Sequence, residues 1–337
     1  MFKVLSSRSF QLLSLAPISF IGAPPIRKRI SNVGKTYFEF LRSYIETNSL
    51  RGRISTPLSS SLDSWVKNAP TSPEKAEREI VKIRILEALR INSTSIDLSG
   101  CGSLTSLPDL SSLTSLTSIS LYGCASLTSL PDLSSLTNLT ELDLSCCARL
   151  TSLPDLSQLT SINVLNLYGC HLLTSLPNLS QLTKLTHLYL SGCYNLTFLP
   201  DDLNHLTNLT HLHLYQCYSL TSLPDLSSLT NLTQLDLSYC IRLTSLPNLS
   251  HLTKLTHLHL SGCRLLTSLP NLSFLTSLTY LSLSGCSNLT SLPDDLSSLI
   301  NLTHLYLSQC SSLTSLPDLS SLTNLKKLDL SETAFRR

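Results

Sequence analysis

Charge is scarce in this chain. Asp, Glu, Lys and Arg make up 14% of 337 residues, methionine and tryptophan occur once each, and glycine only ten times. Each shortage excludes something. With 42% hydrophobic residues, a chain so poor in charge can bury a core and lacks the composition of a disordered one. No stretch reaches about 18 uninterrupted apolar residues, so no segment reads as a membrane-spanning helix. No C-x-x-C pair occurs among the eleven cysteines, and the adjacent Cys146-Cys147 is not the spacing of a tetrahedral zinc site. No G-x-x-x-x-G-K-[ST] loop lies in residues 1–95, so the phosphate cradle of a nucleotide switch is missing there. Ser, His and Asp are plentiful, but nothing in their spacing sets them as a triad in a sheltered pocket. The expectation is a protein that is not an enzyme and carries no cofactor or metal.

The formal net charge of +2 hides a division. Residues 1–95 carry 15 Lys and Arg against 7 Asp and Glu, whereas residues 96–337 carry 9 against 15. The larger part is mildly acidic and unsuited to tracking a phosphate backbone, which argues against nucleic acid as its partner.

What the chain has is repetition. Leu182–Cys193 reads Leu-Thr-Lys-Leu-Thr-His-Leu-Tyr-Leu-Ser-Gly-Cys, and its second part recurs at Leu116–Cys124, Leu139–Cys147, Leu209–Cys217, Leu255–Cys263 and Leu302–Cys310. The x-L-x-L-x core has period two, as in a strand with one buried face. After each cysteine the leucines shift to threes and a proline follows, as at Pro177, Pro200 and Pro224. Proline cannot donate to a sheet ladder, so this return segment is predicted to cross the convex side as irregular chain or short helix. Two units run to 24 residues because Asp201-Asp202 and Asp294-Asp295 replace a single Asp or Asn after the proline. One such unit cannot bury enough apolar surface to offset the ordering of its backbone, so the units must stack, about eleven of them over residues 95–337. Ten cysteines from Cys101 to Cys310 fall 23 or 24 residues apart, one per unit, with Cys146 alone out of register. That spacing predicts a column of buried thiols rather than disulfides, and a reducing compartment.

Residues 1–34 form a basic, Ser-rich leader with no acid before Glu39. A transit peptide, a bacterial secretion leader and a plain basic tail all fit it; Pro17 and Pro24-Pro25 argue against a secretory signal. Residues 35–94 are predicted to be helical and to cap the stack. Lys35–Thr47 places Tyr37, Phe40, Leu41, Tyr44 and Ile45 on one helical face, Ser49–Ser61 is a connector, and Leu62–Asn68 is a short helix bearing Trp65. Thr71-Ser72-Pro73-Glu74 has capping-box spacing ahead of a helix through Ile91, with Ala76, Ile80, Ile83 and Leu86 on its apolar stripe.

On these residues the chain resembles leucine-rich-repeat proteins over about Ser95–Leu330. The unit Leu-Ser-Gly-Cys-Ser-Asn-Leu-Thr-Ser-Leu-Pro at 283–293 is similar to the repeats of plant nucleotide-binding immune receptors. Trp65, Ala69-Pro70, the helix Glu74–Ile91 and the segment Asn92–Gly100 resemble the helical cap and first repeat of bacterial leucine-rich-repeat effectors delivered into host cells. Some of those continue into a ubiquitin-ligase domain with a C-x-D cysteine; no cysteine here is followed by x-D, which implies a relative without the ligase. The resemblance implies an α/β solenoid: a leucine-rich-repeat horseshoe with a parallel concave sheet, an irregular convex side and a helical N-terminal cap. It also implies a protein partner on the concave face.

Side chains flanking the strand leucines face that surface. In the early units they are mostly Ser and Asp. Later they become His187, Tyr189, His211, His213, Tyr215, His257, His259, Tyr280, His304 and Tyr306, with Asp236 in one departing strand. Six of the nine histidines fall here, and aromatic rings with polar tips suit protein contacts. These eleven residues are the candidate partner-binding set. Two other readings stand beside it: duplication would multiply Thr-His-Leu with no ligand to select it, and Asp236 between His213 and His259 would be a metal row, though three ligands in line on an open sheet close no shell. The functional expectation is a non-catalytic interaction module, either an effector acting in host cytoplasm or a resident cytoplasmic adaptor. A last unit with no cap would leave leucines exposed, unless Ala334 and Phe335 cover them, and favour self-association.

Overall fold

Leucines two apart with small or polar neighbours make strands of minimal length. In the computed structural model, which describes residues 56–334, each unit contributes one three-residue strand. These are β1 Ser95–Asp97, β2 Ser118–Ser120, β3 Glu141–Asp143, β4 Val164–Asn166, β5 His187–Tyr189, β6 His211–His213, β7 Gln234–Asp236, β8 His257–His259, β9 Tyr280–Ser282, β10 His304–Tyr306 and β11 Lys327–Asp329. They form one parallel sheet in sequence order, β1 to β11, each residue paired with its equivalent one unit on. The architecture is the predicted solenoid with an N-terminal helical segment. At ordinary strand spacing the sheet is about 50 Å long.

The central leucine or isoleucine of each strand from β1 to β10 is buried and its neighbours stay partly or fully open, except Ser282 on β9, which is buried. Stacked units therefore join their leucines into one continuous core. The cysteines belong to that core as ladder rungs. From Cys124 to Cys310, each in-register thiol donates to the carbonyl oxygen of a leucine in the preceding unit, as Cys124 to Leu98 at 3.3 Å and Cys263 to Leu237 at 3.2 Å. All eleven cysteines are free thiols. Burial pushes the Cys193 thiol up to about 12 and that of Cys310 to about 11. These sulfurs act as small packing groups, not as nucleophiles.

The convex side is irregular, as the prolines require. Its exceptions are two short 3-10 helices, Asp201–His205 and Asp294–Ser298, located in the two 24-residue units. The second aspartate of each pair reaches back one unit, so that Asp202 Oδ2 accepts from the Leu179 N–H at 2.9 Å and Asp295 Oδ2 from that of Leu272 at 3.0 Å.

Helices α1 Thr56–Lys67 and α2 Ser72–Ile91 precede β1. Helix α1 starts six residues before the expected Leu62, inside the segment read as connector. Leu58 and Leu62 pack into the shared core and Val66 is buried beside them on the helix, and that burial overrides the weak helix propensity of its serines. Thr71 caps α2 by accepting from the Glu74 N–H at 3.3 Å, but the capping box is only half made. The Glu74 carboxylate turns into the protein, where Arg78 donates at 2.8 Å and the Thr105 hydroxyl at 2.6 Å. Arg78 also donates to the Trp65 carbonyl oxygen at 2.6 Å and lies over its ring. The buried stripe of α2 is accordingly Glu74, Arg78, Val81, Ile85 and Ala88, with Ile83 and Leu86 beside it. Ala76 is exposed and Ile80 half-buried, so the predicted stripe was rotated. The expected helix at Lys35–Thr47, the leader and the Phe335 cover lie outside the described residues. At the other end of the sheet, Leu328 on β11 is 39% exposed where its equivalents are buried.

Candidate functional site

The strand register fixes which side chains meet. His187 is paired with His211, Tyr189 with His213, His213 with Asp236 and Asp236 with His259. Ten of the eleven candidate residues therefore occupy a continuous patch from β5 to β10. His187 and His211 stack at 4.3 Å between ring centroids, and Tyr189 meets His213 edge-on at 5.1 Å. Beyond β7, Tyr280 lies 4.7 Å from the His259 ring and 5.3 Å from that of Tyr306. Tyr215 is the exception. It follows the strand, packs edge-on against Tyr239 at 5.6 Å, and leaves the concave patch for its rim.

Proton counting assigns the histidine tautomers. The hydroxyls of Thr186, Thr210, Thr256 and Thr303 each lie 2.8–2.9 Å from one carbonyl oxygen of the preceding unit. The same bond is made by Thr117, Thr140, Thr233 and Thr279, where no histidine follows, so it belongs to the repeat itself. Each hydroxyl has a single proton and spends it there. The contact of the same oxygen with Nδ1 of His187, His211, His257 and His304, 2.8–2.9 Å, must then run the other way, Nδ1–H donating to Oγ1. Every ring of this row presents Nε2 as an acceptor.

Burial favours the neutral rings. It is the main cause that lowers His187 and His257, and together with the neighbouring histidines it brings His211 down to about 4. His213 and His259 are also lowered, burial outweighing the opposing pull of Asp236. The Nε2 of His213 is shielded from solvent and meets no hydrogen-bond partner among the described residues. Asp236 itself uses Oδ1 to accept from the Ser238 N–H at 2.9 Å. The row His213, Asp236, His259 is in register, but among the described residues no group of three or more His, Cys, Asp or Glu is arranged to hold a metal ion.

Two features beside the patch escaped the sequence reading. A second ring ladder runs along the rim, with His171 stacked on Tyr194 at 4.4 Å and Tyr194 on Tyr218 at 4.9 Å. Each of these rings directly follows a ladder cysteine, a signal present in the repeat spacing. On the opposite margin a shallow groove of about 600 Å³ is lined by Asn163, Lys184, Thr186, Asn208, Thr210, Asn231, Thr233 and Lys254.

Family models agree with this geometry. The BspA-type leucine-rich-repeat region matches residues 86–200, paired leucine-rich repeats match 207–251 and 230–274, and a single leucine-rich repeat matches 277–299. The chain is a leucine-rich-repeat protein. Among solved structures, this leucine-rich-repeat chain is similar to YopM from Yersinia enterocolitica WA-314, with 30% identity and a TM-score of 0.63 over 82% of its length and 55% of YopM. It thus spans just over half of that relative. YopM of Yersinia pestis, described as a leucine-rich effector protein, aligns at 27% identity and a TM-score of 0.60, over 82% of this chain and 71% of that one. No curated protein matches by sequence. No helix among the described residues is long and apolar enough to cross a membrane.

Proposed function

We propose that the protein is a non-catalytic interaction module that binds a protein partner on its concave face, through the candidate residues carried by β5 to β10. The observation that carries this reading is the ring patch, whose contacts run within β5–β6 and within β8–β10 on either side of Asp236 on β7. Histidines and tyrosines from consecutive strands stack on one another, half-buried and pre-ordered, on an otherwise Ser-rich scaffold. Ordered rings lose little side-chain entropy on binding, which is what makes such surfaces effective in protein recognition. A parallel sheet with an open face offers no enclosed pocket for small-molecule chemistry, so the reading is of a surface rather than a catalytic centre.

The likeness to YopM supports action as a bacterial effector in host cytoplasm. Two experiments test the reading. Affinity capture with mass spectrometry is expected to recover a partner with the natural chain and to lose it when His211, His213, Tyr215 and Tyr306 are all replaced by alanine; retention of the partner by that variant removes the concave face from consideration. Fusion of residues 1–60 to a secretion reporter is expected to give export through a host-contact secretion system; a reporter that stays in the producing cell favours the resident adaptor instead.

A further inference from the structure

The concave face has a charge and hydrogen-bond polarity of its own. The strand residues that flank the buried leucines include five carboxylates, Asp97, Glu141, Asp143, Asp236 and Asp329, and a single cation, Lys327 on the last strand. Between β3 and β10 every charged residue on these strands is acidic. The uncharged part carries acceptors as well: with Nδ1–H committed to threonine, four histidines keep Nε2 as their acceptor nitrogen. Lys184 and Lys254 border the face in the marginal groove, and Lys254 is tied to Asn231 Oδ1 at 2.7 Å.

We propose that the face from β3 to β10 docks an extended basic segment of the protein partner, with Asp236 holding an arginine or lysine head group between the rings of His213 and His259. This rests on the concave face being the binding surface. Charge complementarity selects the occupant, because a surface of carboxylates and unprotonated ring nitrogens satisfies donors and repels acids. The aromatic walls favour arginine, whose planar guanidinium stacks on rings while its N–H groups reach a carboxylate. The register sets a second constraint. Asp143 on β3 and Asp236 on β7 are four strands apart, about 19 Å at ordinary spacing, the reach of about six extended residues.

Asp236 also has a local role, since its Oδ1 accepts from the Ser238 N–H, and the two roles are separable. Asn166 makes the same bond, to the Tyr168 N–H at 3.0 Å, so asparagine sustains that turn. Asp236→Asn therefore removes the charge and keeps the fold. The test uses the full chain and fluorescein-labelled, end-capped Gly/Ser peptides carrying two arginines five residues apart, or citrulline, lysine or glutamate in their place, read by fluorescence anisotropy. The arginine peptide is expected to bind about tenfold more tightly than the citrulline peptide and to lose about tenfold with Asp236→Asn, the size of one charge-assisted hydrogen bond. The glutamate peptide is expected not to bind. Equal binding of arginine and citrulline peptides overturns the inference, as does an Asp236→Asn variant that binds normally. If either occurs while the four-alanine variant has lost its captured partner, the concave-face reading stands and only the basic-segment inference fails. If the four-alanine variant keeps its partner, that reading fails on its own.

Discussion

His211 lies face to face with His187 of the preceding strand, ring centroids 4.3 Å apart and planes 12° apart. Burial disfavours a charge on this ring, and repulsion from His187 and the other neighbouring histidines when charged adds to it, which is why His211 is lowered to about 4. The consequence for stability has a definite sign. Unfolded histidines take up protons near pH 6.5 while the folded rings do not, so below that pH the unfolded state binds more protons. The stabilisation is complete above about 6.5 and is lost as the pH falls toward 4. His187, His213, His257 and His259, all lowered, act in the same direction, and Asp236 is the one carboxylate among them that opposes it. His211 is half-exposed, so its share after screening is about 1 kcal/mol, a fall in Tm of about 2–4 °C. Thermal unfolding at pH 7.5, 6, 5 and 4.5 is expected to show this decline, and His211→Phe to flatten it by that share. A melting temperature constant over this range would contradict the assignment of neutral rings.

At the N-terminal end, the ion pair of Glu74 with Arg78 is 1% and 6% exposed as whole residues. Hydrogen bonds from Thr105 and Arg78 hold the Glu74 carboxyl below its ordinary range against the opposing effect of burial, which is the largest single influence. Arg78→Ala leaves that carboxylate buried without its cation and is expected to cost about 3–5 kcal/mol in the cap. Joint replacement by Glu74→Leu and Arg78→Met is expected to cost much less. Because each repeat contacts only its neighbours, the loss is local. Hydrogen exchange is expected to quicken in α2 and β1 and to remain slow at β6 to β8; uniform loss of protection would show that the cap is not a separate cooperative unit.

The same pair explains what was legible in the sequence and what was not. Leucine and cysteine positions could be read directly, because a buried apolar column tolerates little else and each unit restates it. The stripe of α2 was misread because its first two buried positions are Glu74 and Arg78, whose burial depends on Thr105 and Trp65, residues distant in sequence. The concave placement of His187 through Tyr306 followed from period two alone. Tyr215 did not, since the strand ends at His213 and the chain turns before it. The proton direction in each Thr–His pair was invisible, because it depends on a carbonyl one unit away.

The cysteine ladder makes a chemical prediction. Cys193 is fully buried and its thiol is raised to about 12; Cys147 is likewise raised to about 12 by burial. Cys146 occupies a turn position with φ 60 and is only half-buried, although burial and Asp143 also raise its thiol. Iodoacetamide at pH 8 followed by peptide mass spectrometry is expected to modify Cys146 slowly in the native chain and the in-register thiols only after urea unfolding. Fast native labelling at Cys193 or Cys217 would mean that the stack opens far more readily than its packing implies.

Two glycines at the same turn position separate backbone strain from collision. Gly100 has φ +77 and open space where a Cβ would stand, so Gly100→Ala costs only the left-handed conformation, about 1–2 kcal/mol. Gly262 has φ +74, and a Cβ there would come within 2.8 and 3.0 Å of the Tyr239 ring. The Tyr239 ring packs edge-on against Tyr215, so moving it aside gives up that contact. Gly262→Ala is expected to cost about 1–3 kcal/mol more than Gly100→Ala, the usual range for overpacking. Tyr239→Ala in the same chain is expected to recover most of the excess. Urea midpoints of the three variants measure this directly, and equal losses at Gly100 and Gly262 would show that the rim rings move aside at no cost. In that case the order of the neighbouring ring patch could not be attributed to packing between tyrosines.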